Sequence, residues 1–189
     1  MKLLYFFLFL FLVTACAPNK EETFLVFNNI SYPTDTPFSI SVYKNYDYFI
    51  DYQGSHYLGK MHPDSSVFSI LYRYYTNAEV DSLGLTIGND YLAETISLDN
   101  QLAEDLTKKS LLFKRLRTLD SNLYLDEMSV DETHSLWLKV RWNRNWNFYY
   151  ILITDDFNQS IQNSSESNYE KEYIMITPSV FYRNLHYKR

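Results

Sequence analysis

The sequence predicts an α+β domain, a mainly antiparallel sheet of hairpins with about two helices packed on it. Three observations carry that prediction. Residues 38–52 and 136–152 each place large apolar side chains in alternation on both sides of a short polar turn, the pattern of a β-hairpin. Between them, residues 99–119 repeat their apolar side chains at helical spacing. The chain also holds 18 Tyr, 13 Phe and 3 Trp against only 4 Gly, and aromatic residues suit a pleated, half-buried surface.

Taken in order, the apolar run at 23–30 reads as a first strand, and Pro33, Asp35 and Pro37 mark the loop after it. In the first hairpin, a Lys44-Asn45-Tyr46 loop sets Val42 opposite Tyr48, Ile40 opposite Ile50 and Phe38 opposite Tyr52, so the apolar side chains share one face. Ser39, Ser41, Asp51 and Gln53 fall on the other, wet face. Gly54 punctuates, and 55–61 adds a third strand.

His62-Pro63-Asp64-Ser65-Ser66 resembles a helix start, with Asp64 or a serine as the cap. Val67, Ile70, Leu71, Tyr74, Tyr75 and Ala78 then follow the spacing of one helical face, which predicts a helix lying on the sheet. Residues 91–98 alternate weakly and read as a strand. A second helix over 99–119 gathers Leu102, Leu106, Phe113 and Leu116, with Asp99 as cap and basic residues toward its C-terminal end, where the macrodipole favours them.

The second hairpin, drawn with Asn143-Arg144-Asn145 as its loop, pairs Trp142 with Trp146, Val140 with Phe148, Leu138 with Tyr150 and Leu136 with Leu152 on a core face. Its other face pairs Arg141 with Asn147, Lys139 with Tyr149 and Trp137 with Ile151. Residues 155–171 are polar and read as a mobile loop, and 173–177 return as a last strand before Pro178.

The N-terminus carries an address. One lysine, Lys2, precedes eleven apolar residues from Leu3 to Val13, and the small residues Thr14 and Ala15 lead into Cys16, the only cysteine of the chain. Eleven residues fall short of the roughly 20 that span a bilayer as a helix. Val13-Thr14-Ala15-Cys16 resembles the lipobox of bacterial lipoproteins. The resemblance implies a signal peptide at 1–15, acylation of the Cys16 thiol, and Cys16 as the mature N-terminus. Residues 16–22 then read as a tether and 23–189 as one globular domain. Ala17 after the cysteine implies, by the same resemblance, the outer membrane in a host with two membranes. Lys20-Glu21-Glu22 loosely resembles the charged tethers of surface-exposed lipoproteins.

Charge and cysteine content narrow the function. Without Lys2, sixteen basic side chains face 23 acidic ones, a net charge of −7 for the mature chain. Such a chain gains no counterion-release affinity for nucleic acid, so no nucleic-acid partner is expected. Membrane attachment has to come from the acyl chains. With Cys16 acylated, no thiol is left for a disulfide, a nucleophile or a zinc ligand.

No motif carries chemistry. The four histidines show no metal-ligand spacing, no Gly-x-Ser-x-Gly elbow or phosphate loop exists, and no cofactor is implied. The carboxylates Asp126, Glu127, Asp131 and Glu132, and Asp155 and Asp156, read as solvated charges in loops; a calcium loop would need a central Gly that 155–158 lacks. No catalytic residue is therefore expected.

The aromatic second hairpin is the candidate binding face. Trp137, Lys139, Arg141 and Tyr149 on one strand face would form a platform for sugar rings or for a protein partner, because Trp, Tyr and Arg are enriched at interface hot spots. The alternative is that a helix covers this face and Trp137 belongs to the core. The leading expectation is a lipid-anchored cell-envelope protein that binds a protein or glycan. A small hydrolase of envelope polymers and a structural accessory subunit of a membrane assembly are the other two.

Overall fold

The computed structural model describes residues 19–44, 47–61, 68–74, 93–94, 100–142 and 147–185. The chain opens with helix α1 (Lys20–Phe24) and a 3₁₀ turn (Leu25–Phe27). Strands β1 (Phe38–Lys44), β2 (Asp47–Tyr52), β3 (Ser55–Met61), β4 (Phe68–Tyr74) and β5 (Ala93–Glu94) follow. After the long helix α2 (Asn100–Arg117) come β6 (Leu123–Val130), β7 (Leu136–Trp142) and β8 (Phe148–Ile153). Helix α3 (Phe157–Gln162), a 3₁₀ segment (Ser167–Glu172), β9 (Ile174–Thr177) and β10 (Val180–Leu185) complete it.

The domain is α+β, as expected, and its ten described strands form one sheet in the order β5-β4-β3-β2-β1-β6-β7-β8-β10-β9. Every neighbouring pair is antiparallel. The chain order is broken at two places, where β1 lies beside β6 and where β10 lies between β8 and β9.

The main core lies on one face of this sheet. Ile40, Ile50, Met128, Leu136, Leu138, Val140 and Ile151 project there and are fully buried. Helix α2 covers part of it with Leu106, Phe113 and Leu116; the Phe113 ring meets Tyr48 edge-on, centroids 5.4 Å apart. The first hairpin has the expected register, Phe38–Tyr52, Ile40–Ile50 and Val42–Tyr48, and its Ser39, Asp51 and Gln53 lie on the wetter face or the turn beyond. Lys44, expected in the loop, instead ends β1 opposite Asp47, because a bulge between Val42 and Lys44 absorbs the odd residue. Residues 45–46 lie outside the described residues, as does the Asp99 cap.

Several expectations are corrected. The run at 23–30 is no strand, and the tether expected at 16–22 gives way to α1 at Lys20. Asn19 caps the helix by accepting from Glu21 N at 3.1 Å, and the acids Glu21 and Glu22 sit in its first turn, so the cap overrides the apolar run. The helix expected over 62–78 is strand β4 within 68–74, the rest lying outside the described residues. Phe68, Ile70, Tyr72 and Tyr74 recur at every second position while Val67, Ile70, Leu71 and Tyr74 fit a helical face, and pairing with β3 decides between the two periods.

Strand β6 occupies part of the stretch read as loop. A bulge between Leu125 and Glu127 shifts the phase, so Leu123 and Leu125 and then Met128 and Val130 are buried, and simple alternation disappears from the sequence. Residues 155–171 are not a mobile loop but mostly α3 and a 3₁₀ segment, started by Asp156, whose carboxylate accepts from Gln159 N at 3.0 Å. The strand at 174–177 forms as β9, yet β10 follows it as the true last strand.

The last correction matters most. The second hairpin pairs Leu136 with Ile153, Leu138 with Ile151, Lys139 with Tyr150, Val140 with Tyr149 and Arg141 with Phe148, one residue away from the expected register. Trp142 N–H donates to the Asn147 carbonyl at 3.4 Å, so Trp142 faces Asn147 and not Trp146, which lies outside the described residues with 143–145. Strand β8 reads Phe-Tyr-Tyr-Ile-Leu-Ile, apolar on both faces, so the pattern alone cannot choose between two adjacent registers.

Candidate functional site

The slip in register divides the expected platform. Tyr149 turns to the core face, buried against Phe24 and Tyr182 at ring-centroid distances of 5.5 and 6.4 Å. Trp137, Lys139 and Arg141 keep the opposite face, where Tyr150 takes the place assigned to Tyr149. The four residues therefore do not form one surface.

Trp137 is itself mostly covered, at 9% exposure. Leu152, Ile161 and Phe181 surround it, with Phe157 and Tyr173 at the margin, and the Tyr173 ring meets the indole edge-on at 6.4 Å. Helix α3 thus roofs this part of the sheet. Three mutually bonded hydroxyls hold it there: Ser135 to Thr154 at 2.9 Å, Ser135 to Ser160 at 2.7 Å and Thr154 to Ser160 at 2.8 Å, all buried.

Arg141 makes two 2.8 Å bonds to the Asp126 carboxylate and stands over the rings of Tyr124 and Phe148. Lys139 is half-buried, its ammonium 5.7 Å from the Phe148 centroid. Asp126 and Glu127, expected in a loop, are on β6, where Glu127 lies opposite Lys139.

Asp131 is the organiser of the β6–β7 turn. Its Oδ1 accepts from Thr133 N at 2.8 Å, Thr133 Oγ1 at 2.6 Å and Ser135 N at 3.1 Å, while Oδ2 accepts from the Trp137 indole at 2.6 Å. His134 adopts φ 61° in this turn. A carboxylate read from the sequence as solvated is a fully engaged acceptor.

Between this turn, the sheet and the chain after α3 lies a cleft of about 210 Å³. Glu127, Ser129, Trp137 and Tyr150 form its sheet side, and Asn163 and Glu166 its opposite rim. Glu166 forms an ion pair with Arg183 of β10 and accepts from the Tyr173 hydroxyl at 3.2 Å. The Arg183 guanidinium is buried, stacked 4.1 Å from the Tyr169 centroid and bonded to Glu172 at 3.4 Å. Burial, and then the Glu166 carboxylate, push the Tyr173 phenol well above its ordinary range, so the hydroxyl stays a donor. Sequence reasoning passed over Tyr150, Glu166 and Arg183. The one available signal was Arg183 itself, a lone cation directly after the apolar run Val180-Phe181-Tyr182.

His56 of β3 pairs with Asp51 of β2, far along the chain from His134, and among the described residues no three metal-ligating side chains converge. A second cleft of about 240 Å³ beside α2 is lined by Tyr52, Gln53, Gln101, Leu102 and Asp105; the Tyr52 ring there lies under the Lys109 ammonium. Among the described residues no helix is long and apolar enough to cross a membrane, and Cys16 lies outside them. Neither a family model, nor a curated protein, nor a solved structure matches this chain.

The cleft beside Trp137 combines ring edges and faces with carboxylate, amide and hydroxyl groups. Such a set suits ligand binding, with apolar contact for bulk and a few polar groups for orientation. Acid–base hydrolysis of a glycoside needs two available carboxyl groups across the substrate. Asp131 has both oxygens committed to protein donors and Glu166 is held by Arg183 and Tyr173, which leaves Glu127 without a second acid.

Proposed function

We propose that this protein is a lipid-anchored component of the cell envelope that acts by binding, and that the cleft beside Trp137 takes a glycan of the envelope. The lipobox resemblance at Val13–Cys16 supports the anchor. The observation that carries the binding reading is the cleft itself, where Trp137 and Tyr150 stand beside Glu127, Asn163 and Glu166. Sugar rings present apolar faces to aromatic side chains and hydroxyls to carboxylate and amide groups, and about 210 Å³ is room for one ring rather than an extended polymer site.

The hydrolase reading draws less support, because two of the three carboxylates at the cleft are engaged within the protein. Soluble envelope oligosaccharides titrated into the detergent-solubilised lipoprotein test the proposal through tryptophan fluorescence. The expected result is a saturable change that Glu127→Gln weakens several-fold. A flat titration of the wild-type chain, alongside crosslinking to an envelope protein through the same face, would replace the glycan by a protein partner. Release of reducing ends during the titration would favour the hydrolase.

A further inference from the structure

From the docking of α1 we infer that the folded body is held directly against the bilayer surface, with the N-terminus of α1 at the level of the lipid headgroups; this rests on the anchoring proposed above. The chain is fixed to the sheet from its first described residues. Asn19 caps α1, the Lys20 ammonium stands 5.0 Å from the ring centroids of both Tyr149 and Tyr182, and Glu21 accepts from the Tyr182 hydroxyl at 3.0 Å. Phe24 is wholly buried between Trp142, Tyr149 and Tyr182. Nothing from Asn19 onward is therefore available as slack.

Only Ala17 and Pro18 separate Cys16 from Asn19. Three trans peptide links span at most about 11 Å between the Cα atoms of residues 16 and 19. Pro18 restricts even that reach, because its ring fixes φ. The headgroup layer on each side of a bilayer is roughly 5–8 Å deep. An acylated Cys16 has its thioether near the lower edge of that layer, so Asn19 emerges only a few ångströms above it. The outward side of the arm, with Asn19, Glu22 and Val26 exposed, then faces the lipid surface. Its two acids, Glu21 and Glu22, would be repelled by strongly anionic lipid, so a zwitterionic surface is the better fit.

The test uses a thiol dye, since an acylated Cys16 leaves no other cysteine to label. Glu22→Cys places the dye on the arm, and Lys60→Cys places it on β3, five strands from β8 in the sheet and so roughly 24 Å away along it. The acylated protein is reconstituted in phosphatidylcholine vesicles carrying a headgroup-linked energy acceptor. Transfer from position 22 should exceed transfer from position 60 several-fold. Inserting about ten Gly/Ser residues after Pro18, worth roughly 17 Å of mean reach, should erase the difference. Equal transfer from the two positions in the uninserted chain overturns the inference, as does an insertion without effect. Mass spectrometry of the Cys16 peptide from the same sample separates the two levels: no acyl group overturns the anchor as well, whereas an acyl group with equal transfer overturns the seating alone.

Discussion

The Trp137 indole N–H donates to Asp131 Oδ2 at 2.6 Å, so the residue that walls the cleft is oriented by the turn that precedes its own strand. The same carboxylate accepts three bonds from Thr133 and Ser135. Asp131→Ala would strand the indole donor under α3 and undo the turn together, at a cost of about 2–3 kcal/mol for unsatisfied buried donors of this kind. Urea denaturation measures it. A midpoint unchanged in Asp131→Ala would mean that Trp137 is held by packing alone.

Phe24 tests whether the N-terminal arm belongs to the fold. It is wholly buried in a box of Trp142, Tyr149 and Tyr182. Phe24→Ala is expected to lower stability by about 3–5 kcal/mol, the usual range for an emptied aromatic site. A thermal melt that does not move would mean that the arm from Asn19 to Phe27 adds nothing to the stability of the fold.

Tyr182 makes the alkaline limb of stability a readout of the same contact. Burial first, and then the hydrogen bond to Glu21, push its phenol up to about 12. The unfolded chain, with its phenol at the ordinary value near 10, gives up the proton first. Stability is therefore full below pH 10 and falls as the pH rises from there toward 12. Tyr182→Phe keeps the ring and removes the titrating group, so the fall should be shallower. Parallel wild-type and variant curves across that window would contradict this.

Much of the architecture was legible in the sequence, and the failures share a cause. The first hairpin was readable from Phe38 to Val42 because only one register gathers Phe38, Ile40, Val42, Tyr48, Ile50 and Tyr52 on one face, but the bulge that pairs Lys44 with Asp47 left no periodic trace. Helix α2 was readable because Leu106, Phe113 and Leu116 repeat at one period only. In β8 both faces are apolar, and in β6 a bulge at Asp126 resets the phase, so periodicity could not decide there. The site suffered in proportion: Trp137, Lys139 and Arg141 were placed on one face, Tyr149 was given the position of Tyr150, and Arg183 and Glu166 meet only through tertiary structure. The capping signals at Asn19 and Asp156 were present in the sequence and outweighed by composition.

The anchor has its own test. Cys16→Ser removes the thiol that accepts the acyl chain, so cells fed a clickable fatty acid should label the wild-type protein and not the variant. Equal labelling of both would show that the acyl group, if any, is elsewhere.

The most direct test of the binding account compares two adjacent tyrosines. Tyr150 lines the cleft and Tyr149 lies in the core on the opposite face of β8. Capture of envelope glycan by the solubilised lipoprotein is measured for Tyr150→Ala and Tyr149→Ala, with a melting curve for each. The account predicts that Tyr150→Ala weakens capture by about 2 kcal/mol, as loss of an interface anchor does, with its melt near that of the wild type. It predicts that Tyr149→Ala melts lower and that its folded fraction captures normally. Loss of capture in Tyr149→Ala with full capture in Tyr150→Ala would contradict it.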